Sequence, residues 1–290
     1  MTGARGGLDQ VAEILDRGPA LVLTGAGIST ASGIPDYRGP DGTRRVTPMQ
    51  FGEFIGSSAA RQRYWARSFV GWHRFTQARP NAGHEALTRL QQGGHVGAVI
   101  TQNVDGLHQQ AGTRDVIELH GALADVVCLT CGDRTTRADL EERMCQANPH
   151  FLAEVLGADG HAVDRIRPDG DISLEQIDVE RFVAPRCLVC AVDTLKPDVV
   201  FFGESVPKER VASCFDLTEQ AASLIVAGSS LAVMSGLRFV RRAGARGIPV
   251  VILTRHLSRG ADLATVHLSD DLSTLLTGLC DLVNAEPARM

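Results

Sequence analysis

Residues 17–29, "RGPALVLTGAGIS", decide the fold of this chain. A turn comes first, a short apolar run follows it, and a glycine-rich corner comes directly after the run. An apolar run of this length between turn residues predicts a buried strand, and the corner predicts the start of a helix. With a further helix predicted over residues 8–17, the stretch forms one unit of an α/β fold.

Five more apolar runs predict further strands of one sheet. They read "VGAVITQN", "DVIEL", "DVVFFG", "SLIVAGSS" and "IPVVILT", and helical stretches separate several of them. Continuous rather than alternating apolar residues are typical of strands covered on both faces. We therefore predict a doubly wound, Rossmann-like parallel sheet. Ligands bind outside the carboxyl ends of such strands, where the polar segments "TGAG", "TQNVD", "ELHG", "FFGE" and "AGSS" predict a cleft.

Composition restricts the class of protein. The chain has 290 residues, of which 44% are hydrophobic, enough for a large core. Its net charge of −5 offers no general basic surface for a nucleic acid. No run is long and apolar enough to span a bilayer, and the first residues lack the apolar segment of a signal peptide. We expect a cytoplasmic protein without nucleic-acid or membrane partners; the sequence does not reveal its oligomeric state, and a monomer is favoured.

Cysteine spacing predicts a metal site. Seven cysteines include two C-x-x-C pairs, "CLTC" and "CLVC", which together supply the four thiolates of a structural zinc site. The alternative is two unrelated redox or chance pairs, since the pairs lie far apart. Four thiolates leave no open position for a reacting water, so the zinc would be structural. The predicted ligands are Cys128, Cys131, Cys187 and Cys190, and the three other cysteines are predicted to be buried, inert thiols.

Two stretches interrupt the alternation of strands and helices. Residues 48–79, rich in aromatic residues and arginine, predict a small helical module. Residues 123–191 contain both cysteine pairs around a long polar middle and predict a zinc-binding module. The Rossmann-like domain would then comprise residues 8–47, 80–122 and 192–285.

Polar residues at two strand ends are candidates for chemistry. Asn103 and Asp105 leave one strand two residues apart, and an amide suits recognition of a carboxamide such as that of nicotinamide. The alternative for Asp105 is a turn that caps the next helix. His120 would expose an imidazole at the rim, where it suits a general base. A dehydrogenase is disfavoured, because Thr30 stands where G-x-G-x-x-G requires its third glycine.

Several motifs resemble, in order and spacing, those of the sirtuins, NAD-consuming protein-lysine deacylases. They are "GAGIST…SGIPDYRG", "TQNVDGLH", "ELHG", the two C-x-x-C pairs, "KPDVVFFGE" and "AGSSL". The resemblance covers residues 8–280, and "RQRYWARSFVGW" is similar to the class II branch. It implies cleavage of nicotinamide from NAD and transfer of the acyl group of a substrate lysine to ADP-ribose. His120 would be the base, assisted by Asn103.

The resemblance also implies the residues that bind NAD and the acyl-lysine protein. Tyr37 stands where many relatives have phenylalanine, and Thr254 stands where many have asparagine. The implied NAD-binding residues are Gly25, Ala26, Gly27, Asp36, Tyr37, Arg38, Gln102, Asn103, Asp105, Gly228, Ser229, Ser230, Thr254 and Leu272. The implied peptide-binding segment is Val200, Phe201, Phe202, Gly203 and Glu204.

Tyr64 and Arg67 form a Y-x-x-R that resembles the pair with which the desuccinylase branch recognises acidic acyl groups. An arginine pairs well with a carboxylate, so a succinyl- or glutaryl-lysine is a possible substrate. The alternative is a surface arginine beside a core tyrosine. Two other functions stay open: mono-ADP-ribosyl transfer to protein, and a non-catalytic NAD- or zinc-binding module.

Overall fold

The protein is described from a computed structural model. It describes residues 2–37, 43, 47–156, 179–255 and 258–284. Arg38, one of the predicted NAD-binding residues, lies outside the described residues, as does much of the polar middle of the predicted zinc module. Within the described part, no helix is long and apolar enough to cross a membrane.

The predicted parallel sheet is confirmed. In the described residues its strands are β1 (Ala20–Thr24), β2 (Val96–Thr101), β3 (Val116–Glu118), β7 (Ser223–Ala227), β8 (Val250–Leu253) and β9 (Val266–Leu268). These six strands are parallel and lie in the order β3-β2-β1-β7-β8-β9. Every residue of β1, β7 and β8 is buried, as the continuous apolar runs require.

Helices cover both faces of this sheet. One face packs against α1 (Thr2–Leu15), α4 (Ala82–Gln92) and α10 (Leu272–Asn284). The other packs against α8 (Lys208–Gln220) and α9 (Met234–Arg246). A short helix, α5 (Leu107–Gln110), follows β2 at the edge where the strands end. The carboxyl ends of the strands are thus left free to form one rim.

A second, antiparallel sheet contains β4 (Gly121–Cys128), β5 (Arg134–Thr136) and β6 (Leu195–Val199). The expectation that "DVVFFG", residues 198–203, runs in the parallel sheet is wrong. Strand β4 leads into the first cysteine pair, and β6 returns from the second. Because the two cysteine pairs meet, the chain runs toward the cluster along β4 and away from it along β6, which makes this pair of strands antiparallel.

The helical stretch and the cysteine-containing stretch share one hydrophobic core. Buried polar side chains join them: the Trp65 indole donates to the Leu195 carbonyl at 3.0 Å, and the Arg61 guanidinium lies 3.1 Å from the Asp193 carboxylate. The predicted modules therefore pack as one unit in their described parts. The helices of this unit are α2 (Phe51–Gly56), α3 (Ser58–Phe75), α6 (Arg137–Ala147) and α7 (Phe151–Leu156).

The glycine-rich corner does not open an α-helix, contrary to the expectation from sequence. Two 3₁₀ turns, Ala26–Ile28 and Thr30–Ser32, follow β1 instead. The Thr30 hydroxyl donates to the Gly27 carbonyl at 3.0 Å, and Gly33 ends the second turn with φ +88°. A side chain that bonds the local backbone competes with helix propagation, so the chain leaves the corner as a loop.

Two buried histidines lie beneath the rim. The His108 Nε2 atom lies 2.9 Å from the Thr24 hydroxyl, and the His84 ring contacts the His108 ring with centroids 5.0 Å apart. Burial lowers the pKa of His84 to about 4; burial, and then the neighbouring His84, lower that of His108 to about 3. Both imidazoles are therefore neutral in the folded protein.

We expect this pair to make stability depend on pH. An unfolded histidine takes up its proton near pH 6.5, above the folded pKa. The contribution of each buried neutral histidine to the free energy of unfolding is therefore fully present above that pH, and it is lost as the pH falls toward about 4. Between about pH 7 and pH 5 the loss should be about 2 kcal/mol for each histidine. Urea unfolding at several pH values measures it. His108→Gln should flatten the pH dependence, whereas a change at exposed His150, His150→Gln, should not.

Candidate functional site

The packed helical and cysteine-containing stretches are called the second unit. A cleft of about 1440 Å³ lies between the rim of the parallel sheet and this unit. All the described residues predicted to bind NAD line it, from Gly25 at the corner to Leu272 on α10. The predicted peptide-binding segment, residues 200–204, also lines it, as does Tyr64. Arg67 is not among its lining residues. The rim thus brings together groups that are far apart in the chain.

The two glycines of the corner allow two loops to cross. The Gly27 amide donates to the Gly228 carbonyl at 2.8 Å, and the Gly25 amide donates to the Ala227 carbonyl at 3.1 Å. A Cβ at Gly27 would lie 2.7 Å from that Gly228 oxygen. The glycines are therefore needed for the crossing of the loops after β1 and β7. Because both amides are already bonded, a phosphate in the cleft would need other donors.

Asn103 and Asp105 meet at a serine that the sequence reasoning did not single out. The buried Ser29 hydroxyl donates to the Asp105 carboxylate at 2.6 Å and accepts from the Asn103 amide at 3.0 Å. The other Asp105 oxygen accepts from the Leu107 amide at 3.0 Å, so Asp105 also makes the alternative capping turn. Burial raises the pKa of Asp105. Ser29 belongs to the quoted glycine corner, and its hydroxyl there was the available signal.

His120 lies between β3 and β4 with its ring at the cleft. Its Nδ1 atom is 2.9 Å from the Gln102 carbonyl oxygen, and its Nε2 atom is 2.9 Å from the Ser235 hydroxyl. A carbonyl oxygen only accepts, so Nδ1 holds the proton and Nε2 is the basic atom. Burial lowers the pKa of His120. A neutral imidazole with a fixed tautomer suits a general base.

The segment from Val200 to Glu204 forms the opposite wall. The Val200 amide donates to the His120 carbonyl at 2.8 Å, which ties this wall to the histidine. Phe202 contacts Tyr37 edge to face, with ring centroids 5.7 Å apart. Residues predicted to bind peptide and cofactor therefore touch across the cleft.

A buried lysine, which the sequence reasoning missed, fixes the shape of this segment. The Lys196 ammonium lies 3.0 Å from the Glu204 carboxylate and donates to the Val199 carbonyl. Glu204 also accepts from the Phe201 amide at 2.8 Å. This lysine opens the quoted motif "KPDVVFFGE", but lysine in a strand is typical of an exposed position, so its residue type did not indicate burial.

Tyr64 and Arg67 differ in their surroundings. Tyr64 is buried, contacts Phe54 and Phe201, and lines the cleft. The Nε atom of Arg67 is buried and has no hydrogen-bond partner among the described residues. The structure thus places the tyrosine, but not the arginine, on the cleft surface.

The four predicted cysteine ligands converge. Their sulfur atoms all lie within 4.8 Å of one another. The Sγ atoms of Cys128 and Cys190 are 3.6 Å apart, as are those of Cys131 and Cys187. Tetrahedral zinc with Zn–S bonds of about 2.3 Å places its sulfurs roughly 3.8 Å apart, so the thiols fit one zinc ion. Of the other three cysteines, Cys214 and Cys280 are buried as expected, but Cys145 is exposed.

Comparison with known proteins gives a consistent result. The sequence pattern that describes the Sir2 family matches residues 25–235 of this chain. NAD-dependent protein deacetylase 1 of Streptomyces coelicolor is 50% identical over 275 residues, which are 94% of this chain and 89% of that protein. NAD-dependent protein deacetylase 1 of Mycobacterium avium is 48% identical over 287 residues, 99% of both chains.

Solved structures show the same fold. A structure of Sir2 with a p53 peptide and NAD⁺ has a TM-score of 0.71 and 29% sequence identity, and the match covers 92% of this chain and 94% of that one. A structure of a Sir2 enzyme, solved to explain mechanism and regulation, has a TM-score of 0.73 and 28% identity over 96% of this chain and 98% of that one.

We expect Cys187→Ser to remove the metal. Zinc content, measured by mass spectrometry of the purified protein, should fall from about one to near zero per chain, and Tm should fall by more than about 5 °C, since metal binding supplies folding free energy. Cys145→Ser is the control, because Cys145 is exposed and lies outside the cluster. An unchanged zinc content in Cys187→Ser would contradict the site.

Proposed function

The chain belongs to the Sir2 family, the sirtuins, and we propose that its cleft removes acetyl groups from protein lysines with His120 as the general base. It is an NAD-dependent protein deacetylase. The support is the identity of about half the sequence to proteins of that name over most of the chain. Its assignment to the class II branch stays a prediction.

The state of His120 carries the proposal for the base. Its Nδ1–H is held by the Gln102 carbonyl, and its unprotonated Nε2 is directed to the cleft side. At neutral pH the lowered pKa keeps the ring unprotonated and able to accept a proton. A base in this state abstracts a proton from a hydroxyl that lies in the cleft.

The cleft fits NAD. Its volume of about 1440 Å³ exceeds that of an ordinary small-ligand pocket, roughly 300–1,000 Å³, as a dinucleotide with a peptide requires. When bound, NAD supplies nicotinamide as the leaving group and ADP-ribose as the acyl acceptor. Ser29 holds Asn103 and Asp105 together, so that the amide and the carboxylate act as one fixed surface toward the nicotinamide end.

We propose that the loop crossing places the remaining NAD contacts. Gly228, Ser229 and Ser230 lie where β7 ends, and Thr254 lies where β8 ends, all on the cleft surface. Hydroxyl groups at strand ends suit the ribose and phosphate of the adenosine half. Tyr37 would close over the cofactor from the loop before the undescribed residues 38–42.

The peptide would lie along Val200–Glu204. The Lys196–Glu204 pair holds this segment beside His120, and an extended peptide gains affinity by backbone pairing with such a wall. An acyl-lysine inserted there would reach the cleft between Tyr64 and His120. A cytoplasmic location and a monomeric state stay predictions.

We also propose that Arg67 extends the range of substrates to acidic acyl groups. The support is the unpartnered Nε atom of Arg67, one helical turn beyond Tyr64 on α3. Arg67 itself does not line the cleft. The Arg67 guanidinium would therefore have to move into the cleft to pair with the carboxylate of a succinyl group. Acetyl-lysine is therefore expected to be the main substrate.

The base assignment predicts that His120→Ala lowers the rate of deacetylation by about 100-fold or more. Mass spectrometry of an acetyl-lysine peptide incubated with NAD measures the rate. His150→Ala, at an exposed histidine, is the control. Activity near that of the wild type in His120→Ala would contradict the assignment. Gain of ADP-ribose on the acceptor, without loss of acetyl, would favour ADP-ribosyl transfer.

The acyl proposal predicts that Arg67→Ala lowers desuccinylation and deglutarylation about 10-fold while deacetylation stays within about twofold. The same mass-spectrometric assay, with matched acetyl, succinyl and glutaryl peptides, measures the ratio. Arg63→Ala serves as the control, because Arg63 lies on the same helix and pairs with Glu53. An unchanged ratio in Arg67→Ala refutes a role of Arg67 in selectivity.

A further inference from the structure

Ser235 contacts the basic atom of the proposed general base. It is the second residue of α9, it lines the cleft, and its Oγ lies 2.9 Å from Nε2 of His120. Because the other ring nitrogen donates to the Gln102 carbonyl, Nε2 is unprotonated, so the Ser235 hydroxyl is the donor. The atom that must accept the proton is thus already hydrogen-bonded to a side chain.

The next residue makes this contact possible. A Cβ at Gly236 would lie 2.7 Å from Nε2 of Gln102 and 3.0 Å from its Cδ. The Gln102 side chain is itself held, since its Oε1 accepts from the Ser229 hydroxyl at 2.6 Å. A larger residue at position 236 would push the start of α9 away. Serine followed by glycine therefore supplies both the hydroxyl and the close approach.

We propose that Ser235 orients the His120 ring and relays a proton from a hydroxyl in the cleft to Nε2. The inference rests on the proposed function of His120 as base. The proton of a hydroxyl in the cleft passes to the Ser235 oxygen as the serine proton passes to Nε2. The O–H bond of the cleft hydroxyl breaks and its oxygen keeps the electron pair as an alkoxide. One O–H bond breaks and one forms at serine, which ends unchanged, and a new N–H bond at Nε2 converts the imidazole to imidazolium.

The surroundings favour this role over a passive contact. Burial and then the nearby Arg210 and Arg238 disfavour a charged His120 ring, so imidazolium needs a local acceptor. The Ser235 oxygen supplies it, because a hydroxyl that donated to neutral Nε2 can rotate to accept from Nε2–H. No described carboxylate is hydrogen-bonded to the ring. The serine hydroxyl can thus donate to the neutral His120 ring and accept from the protonated ring.

The first test uses the free enzyme. In ¹⁵N NMR spectra of the histidine side chains, with His120 assigned by its loss in His120→Ala, Ser235→Ala should move the Nε2 signal. The Nδ1–H signal should stay, because its Gln102 partner is intact. Ser235→Thr keeps the hydroxyl and should restore the Nε2 signal. An Nε2 signal of Ser235→Ala identical to that of the wild type would overturn the proposal.

The second test separates steps of the reaction. Loss of nicotinamide needs no base, whereas the later acyl transfer does. Ser235→Ala should therefore slow deacetylation but not the exchange of nicotinamide. Ser235→Ala should lower kcat of deacetylation about 3- to 10-fold, the effect of one hydrogen bond. KM for NAD and for an acetyl-lysine peptide should not change, and exchange of labelled nicotinamide into NAD should not fall. Ser235→Thr should recover kcat, and Ser213→Ala, at an exposed α8 serine, should match the wild type.

The results of the second test distinguish failure of the Ser235 proposal from failure of the proposed function. Equal loss of exchange and deacetylation in Ser235→Ala would mean that Ser235 only shapes the cleft, and the proposal fails. Failure of Ser235→Thr to recover kcat, with the protein folded by circular dichroism, also overturns it. A wild type without exchange or deacetylation would refute the proposed function instead, while the NMR result would still report on the Ser235–His120 contact.

Discussion

The backbone contact between Gly27 and Gly228 is the constraint on which the cleft depends. At 2.8 Å it leaves no space for a side chain, and it joins the ends of two neighbouring strands. The crossing places Ser229, whose hydroxyl holds the Gln102 side chain, and the backbone carbonyl of Gln102 accepts from Nδ1 of His120. One residue thus contacts both the loop crossing and the base, and its backbone carbonyl sets the tautomer of the base.

Buried charges give the second unit its geometry rather than its stability. Removing an ion pair from water costs more than it returns unless further hydrogen bonds complete it. The Lys196 ammonium has such partners, since it meets the Glu204 carboxylate and the Val199 carbonyl. The Arg61 guanidinium meets Asp193 and the Phe54 carbonyl. Each pair fixes the backbone of a segment that hydrophobic contacts alone would leave free to shift.

Local patterns were sufficient to predict the parallel sheet and the cysteine cluster, because continuous apolar runs and C-x-x-C spacing are properties of adjacent residues. The predictions failed where the contact partner of a residue is remote in the sequence. Residues 198–203 were predicted as a strand of the parallel sheet, but the strand runs from Leu195 to Val199 and contact with β4 places it in the antiparallel sheet. Ser235 looks like an ordinary helix-start residue, because its partner His120 is 115 positions away. The glycine corner was located correctly, but its amides bond protein carbonyls.

Strands β4 and β6 connect the metal cluster to the base. Strand β4 begins beside His120 and ends at Cys128, and its partner β6 spans the same two ends from Val199 to Leu195. A zinc ion at the cluster would hold the far ends of the two strands together. Their near ends meet where the Val200 amide donates to the His120 carbonyl. Loss of the metal therefore acts on the cleft through the strand pair, by loosening the wall against which the peptide would lie.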